Sequence, residues 1–269
     1  MRAYFERKYT HALAIVRRSG ACQKIETLLR DHSQGGAPRA LSVEHLLAAT
    51  ITAMDPKLGV VTQVAIHNLL TTVFSPAFHH RHQIPTGLTI RQVRYLFHII
   101  TTALDFSPHG KNNQGASKEE LKDIEDRTFK LLNAFLRASI PAGLPEPDFM
   151  AIDATAIETW ARRKASGAFD KDAEYGYRTA TYANGSSMFF GHRAIASATC
   201  FHKDSPFNKL HLINGQILTS NVGYEPTPTL ELLDNHILPH AAMTPTLLVK
   251  RSGFSSASYA GANARAWVS

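Results

Sequence analysis

The tightest constraint on this chain is the run Phe149-Met150-Ala151-Ile152-Asp153-Ala154-Thr155, in which apolar residues close on an acid. Pro141, Pro145 and Pro147 stand just upstream, and prolines so spaced break any helix that would enter it. The run therefore predicts a short buried strand with a carboxylate at its end. A buried carboxylate without a partner is costly, so Asp153 is either held by hydrogen bonds or used. In the first case it caps a helix opening at Ala154-Thr155-Ala156-Ile157-Glu158-Thr159-Trp160. In the second it binds a metal ion.

Ahead of the prolines the pattern is helical. Leu41-Ser42 precedes Val43, Leu46, Leu47 and Ile51, and a second helix is expected from about Val60, with Val61, Val64, Leu69, Leu70 and Val73 at its apolar positions. Thr89 with Gln92, and Ser117 with Glu120, have the spacing of capping boxes. Polar loops are expected over 31–39 and 107–115. The proline-rich segment 141–147 then marks a boundary, giving a helical domain over residues 1–145. Within that domain Arg91 and Arg94 lie one turn apart at a helix start, beside Gln92. Such residues suit a DNA recognition helix, and equally a solvated helix face. His79, His80 and His82 surround Arg81 with no helical i, i+4 pair and no neighbouring acid, which reads as a basic loop rather than a zinc set.

Beyond the boundary the period becomes that of strands. Met188 to Ala198 and Leu212 to Val222 are expected strands, Pro226 to Leu238 a helix, and Thr246 to Val249 a further short strand. Along this half run Asp153-Ala154-Thr155, then Glu158-Thr159-Trp160-Ala161-Arg162-Arg163-Lys164, then Asp170-Lys171-Asp172-Ala173-Glu174-Tyr175-Gly176-Tyr177-Arg178-Thr179. Phe189-Phe190-Gly191-His192-Arg193-Ala194 and Asn214-Gly215-Gln216-Ile217-Leu218-Thr219 follow. That order resembles the catalytic domain of the DDE transposases of bacterial insertion sequences, over roughly residues 149–254.

The resemblance implies an α+β or α/β chain: a helical, DNA-binding N-terminal domain followed by an incomplete RNase H-like mixed sheet with helices. The partial catalytic domain would occupy 146–254, with an irregular tail over 255–269. Asp153 would be the first of three acids that hold catalytic Mg²⁺ or Mn²⁺, since in-line phosphodiester cleavage stabilises the attacking and leaving oxygens with carboxylate-bound ions. The family's second acid follows the strand that Thr246-Leu247-Leu248-Val249 matches. Here Lys250-Arg251-Ser252-Gly253-Phe254 keeps the Gly and the aromatic but sets cations where the acid belongs, and a cation has no lone pair for a metal. No Asp or Glu follows Asp234, so the chain reads as truncated or frameshifted relative to the family, and inactive in strand cleavage. Asp170, Asp172 and Glu174 would lie in a solvated insertion after the first strand. Arg162, Arg163, Lys164 and Arg178, with Tyr175 and Tyr177 interleaved, and the pair His192 and Arg193, would meet DNA. Partners implied are DNA and another transposase chain, either a second copy or a full-length relative. A non-catalytic DNA-binding remnant or regulator is the alternative.

Charge agrees with a polyanionic partner: net +7, with a pI near 9.5. The longest apolar stretches fall well short of the ~20 residues that a membrane span needs, and Ala12 to Val16, between Lys8 and Arg17-Arg18, is too short for a secretion signal. Cys22 and Cys200 are the only cysteines and read as free thiols. A cytoplasmic protein without membrane contact is expected.

Overall fold

The computed structural model describes residues 1–31, 39–145, 147, 149–159, 170–177, 188–220, 226–233, 246–249 and 266–267. It is an α+β chain that divides into two compact units. One comprises Met1–Phe106 with Gly115–Ser139, the other Ser107–Gln114 with Ile140–Ser269.

The first unit is helical: α1 Arg2–Ser19, α2 Ala21–Asp31, α3 Val43–Ala53, α4 Gln63–Asn68, α5 Pro76–His82, α6 Ile90–Ala103 and α7 Lys118–Ser139. Its helix starts are set locally by capping. Side-chain oxygens of Ser42, Thr62, Ser75 and Thr89 each accept the backbone N–H three residues on, which satisfies a donor the helix itself leaves open. At Thr89 the bond is reciprocal, because Gln92 Oε1 accepts the Thr89 N–H at 2.8 Å. Glu120 returns the same bond to the Ser117 N–H, also at 2.8 Å. α1 stops at Gly20, whose φ of 65° few other residues adopt and whose N–H reaches the Arg17 carbonyl. Phe5, Tyr9, Ala12, Leu13 and Val16 form the buried stripe of α1 and meet Val43, Leu46 and Ala49 of α3, Ile66 and Leu69 near α4, and Leu96 of α6 in one apolar core. Each large side chain so buried contributes about 1.5–3 kcal/mol.

Two expectations for this unit are corrected. The second helix begins at Gln63 rather than Val60: Val60 and Val61 precede it and are exposed, and Val64 lies in its first turn but on the exposed side. The stretch around His79 is not a loop but the helix α5, started by the Ser75 cap with Pro76 in its first turn. The polar loop expected over 107–115 is a connecting segment that includes a 3₁₀ turn at Lys111–Asn113, and its residues 107–114 group with the second unit.

The second unit holds β1 Phe149–Glu158, β2 Glu174–Tyr177, β3 Met188–Cys200, β4 Leu212–Ser220, α8 Pro226–Glu231, β5 Thr246–Val249 and β6 Ala266–Trp267. The long β3 organises the sheet. β1 runs antiparallel along one edge of it, and β2 and β4 share the other edge, both antiparallel. β5 lies parallel to β1 on its far side, and β6 parallel to β5. A bulge at Ser197/Ala198 leaves Asn214 as the extra residue of β4, and the Ser197 hydroxyl closes it by donating to Asn214 Oδ1 at 2.6 Å. Met150 and Ile152 of β1, Ile195 of β3 and Ile217 of β4 occupy the buried face. Their alternation with Asp153 and Thr155, which are exposed, follows from the two-residue period of a strand.

Here too the expectations change. β1 does not end at Asp153: it continues to Glu158, so there is no helix at Ala154 and no cap. The expected solvated insertion contains the strand β2, and the segment expected to be an irregular tail contributes β6 at Ala266–Trp267. α8 is described over Pro226–Glu231, and the remainder of the longer helix expected there lies largely outside the described residues. No helix among the described residues is long and apolar enough to cross a membrane.

Candidate functional site

Asp153 is the fifth residue of β1, inside a strand paired on both sides. Antiparallel β3 sets Ala196 directly opposite it, and β4 sets Gln216 opposite Ala196. On the other side β5 pairs Val249 with Ile152, so Asp153 stands one residue beyond the last described pair, where β5 ends. Its side chain is exposed on the face it shares with Thr155 and Ile157. Oδ1 accepts the N–H of Ala154 at 2.9 Å. An exposed carboxylate bears little of the desolvation cost expected of a buried one, and most of its lone pairs are open to a ligand.

A divalent ion held by carboxylates needs more than one of them. Among the described residues no group of three acids, histidines or cysteines includes Asp153. Its cross-strand neighbours, Ala196 and Gln216, carry no charge. The described residues around Asp153 therefore do not fit a two-ion centre. Lys250 and Arg251, which follow β5 in sequence, lie outside the described residues.

The residues expected to contact DNA separate into three groups. Arg162, Arg163, Lys164 and Arg178 lie outside the described residues. His192 and Arg193 are adjacent on β3 and so face opposite sides of the sheet; they cannot serve one surface. His192 lies on the Asp153 face, opposite Ile157, and its Nε2 meets Asp170 Oδ2 at 2.9 Å. Burial works against the charged form of Asp170, but hydrogen bonds from His192 and from the backbone of Asp172 outweigh it and hold the carboxyl below its ordinary value. Asp170 is thus a structural partner of His192 and not a solvated loop residue. His192 stands four positions along the strand from Ala196, the partner of Asp153. At about 3.4 Å per residue that spacing excludes a shared ion.

Arg91 and Arg94 form the third group. Both are exposed on the first turns of α6, and Tyr95 and His98 are exposed beside them. The spacing of 91, 94, 95 and 98 puts all four on one face of the helix, opposite the buried Val93, Leu96 and Ile100. Tyr95 is 59% exposed, unusual for a large ring in a helix that has an apolar side to bury it. The amino-acid sequence points to the two arginines but less plainly to Tyr95 and His98, which extend their stripe; only the i, i+3, i+4, i+7 spacing signals them.

Comparison with protein-family models, with curated proteins and with solved structures finds no match to this chain.

Proposed function

We propose that this chain is a DNA-binding protein of the DDE transposase type, which holds DNA through its helical unit and does not cleave it. The observation that carries the reading is the sheet. Four strands, β1 to β4, each antiparallel to its partner, are followed by a helix and by β5 parallel to β1. β3, β1, β5 and β6 lie side by side in that order, with β2 and β4 both on the other edge of β3, which supports the mixed sheet that the resemblance implies. The acid that the resemblance aligns with the family's first metal ligand, Asp153, lies on the inner strand β1, one residue past its last pair with β5. The cation stripe of α6 and the net charge of +7 support a nucleic-acid partner, and an exposed tyrosine among arginines suits contact with bases or sugars. Among the described residues no group of metal-ligating side chains includes Asp153, which favours the non-catalytic reading over transposition chemistry by this chain.

Binding of a labelled random-sequence duplex, measured by fluorescence anisotropy across a salt series, tests this. Binding should weaken steeply with salt, and Arg91→Ala with Arg94→Ala should flatten the salt slope by about one for each phosphate no longer neutralised. Absence of binding even at low salt would end the DNA reading. Mg²⁺-dependent nicking that disappears in Asp153→Asn would instead establish the catalytic alternative.

A further inference from the structure

We propose that α6 reads guanines in the major groove of duplex DNA through the guanidinium forks of Arg91 and Arg94. This rests on the DNA-binding reading and deepens it. Cations alone make a binder that is blind to sequence, whereas the side chains of this stripe are of a kind, and in a place, to tell bases apart.

α6 contains neither a lysine nor an acid. A helix that only tracks phosphates is served by lysine, a point charge on a flexible stem. Arginine carries a planar fork whose paired N–H groups match O6 and N7 of guanine, the commonest specific contact in the major groove. Neither Arg91 nor Arg94 has an ion pair or a side-chain hydrogen bond among the described residues, so both forks are open to a ligand. Tyr95, 59% exposed between them and His98, makes no ring contact there either. Gln92 is exposed beside them but committed elsewhere: its Oε1 accepts from the Thr89 N–H at 2.8 Å and from the Thr89 hydroxyl at 3.0 Å.

Placement agrees with this chemistry. Arg91, Arg94, Tyr95 and His98 have the i, i+3, i+4, i+7 spacing that turns one side of a recognition helix to base edges, and they begin in its first turn, where such helices make contacts. From 91 to 98 the helix rises about 10 Å at about 1.5 Å per residue. At about 3.4 Å per base pair that spans about three base pairs. The groove, about 12 Å wide, admits the helix itself.

Discrimination between bases also requires that the helix start be held firmly. Thr89 and Gln92 close a reciprocal cap there. Leu88, the residue before it, is buried, and its carbonyl oxygen lies 2.8 Å from Nε2 of His67 on α4. On the inner side Val93, Leu96 and Ile100 join the core that α2, α3 and α4 share. The arginines thus project from a fixed base. On random DNA they meet phosphates, as any cation does, and so set the salt slope; on a matching sequence they reach the base edges.

Selection of the full chain against a library of duplexes with a randomised segment tests the proposal. Bound duplexes should be enriched in a motif of about three to five base pairs that contains two guanines, on either strand. Replacing either guanine should weaken binding by at least about fivefold. Arg91→Lys and Arg94→Lys keep the charge and lose the fork. Each should abolish the preference for one guanine while leaving affinity and salt slope on random-sequence DNA unchanged. Enrichment that both lysine variants leave intact would place the readout elsewhere and overturn the proposal. So would equal binding of the selected motif as a single strand. Binding to duplexes without any enrichment would overturn it too, but would leave the DNA-binding reading standing, with α6 serving the backbone alone. Absence of binding to every sequence, even at low salt, would end both.

Discussion

Asp55 is a buried acid whose every partner is visible. Its side chain is 4% exposed, yet it costs the fold little, because Tyr4 O–H donates to Oδ2 at 2.6 Å, Lys8 Nζ lies 3.1 Å from the same oxygen, and the Lys57 N–H bonds Oδ1 at 3.0 Å. One carboxylate thus ties α1 to the 3₁₀ turn Pro56–Leu58 that it caps, and Lys57 adds a cation–π contact with its Nζ 4.0 Å from the Tyr4 centroid. The Tyr4 hydrogen bond first, then the Lys57 N–H and Lys8, hold its carboxyl at about 2. A folded value below the ordinary 3.8 means that the stabilisation is complete above that pH and is lost as pH falls from there through about 2. Asp55→Asn should therefore lower the melting temperature at neutral pH and remove the dependence on pH in that acid window. Thermal melts of both proteins across the window check it, and parallel pH profiles would show that Asp55 is not the titrating group. Asp153 is the opposite case: an acid that the sequence placed correctly on a strand but, wrongly, at its buried end. Five residues of Ala, Thr, Ile and Glu after it carry both helix and strand propensity, and only the pairing with β3, distant in sequence, decides between them.

At the scale of elements, what could be read in advance was what is local. The Thr89–Gln92 and Ser117–Glu120 boxes span three residues, and both form as their spacing dictates. The α5 start was equally local, since Ser75 before Pro76 is a start signal in its own right, but the histidines beside it drew the reading toward a loop. Strand β2 was not legible, because Glu174-Tyr175-Gly176-Tyr177 becomes a strand only by pairing with Met188 to Gly191. Its position rests on Gly191, which pairs with Glu158 on one side and Glu174 on the other. A Cβ at Gly191 would stand 2.0 Å from the Ile157 carbonyl oxygen and 2.9 Å from the Glu158 Cα. Both are backbone atoms that cannot swing aside, so a glycine in mid-strand marks close approach of two chains. Gly191→Ala should destabilise the sheet by about 1–3 kcal/mol, as overpacking does. Denaturant unfolding followed by a probe in β3 measures this, and an unchanged midpoint would mean that β1 does not lie so close there.

For the whole molecule, composition carried one expectation and little else: the net charge of +7 pointed to a polyanionic partner. Where the core lies was not legible from apolar content, as exposed Val60 and Val64 show against buried Ile66 and Leu69. One apolar core of described residues lies entirely in the helical unit, from Phe5 to Ile100 with Leu131 of α7. The sheet unit buries a separate set, among them Met150, Ile152, Phe189, Ile195 and Ile217. The chain passes between the units more than once, because 107–114 groups with the sheet while Gly115–Ser139 returns to the helices. Two cores on one chain can melt as two cooperative blocks, each with its own enthalpy, and the two-state description then fails for the molecule as a whole. Scanning calorimetry should accordingly resolve two transitions. Asp55→Asn should lower only the one belonging to the helical unit, and Gly191→Ala only the other. A single transition with equal calorimetric and van't Hoff enthalpies, displaced alike by both substitutions, would require the two units to unfold as one block.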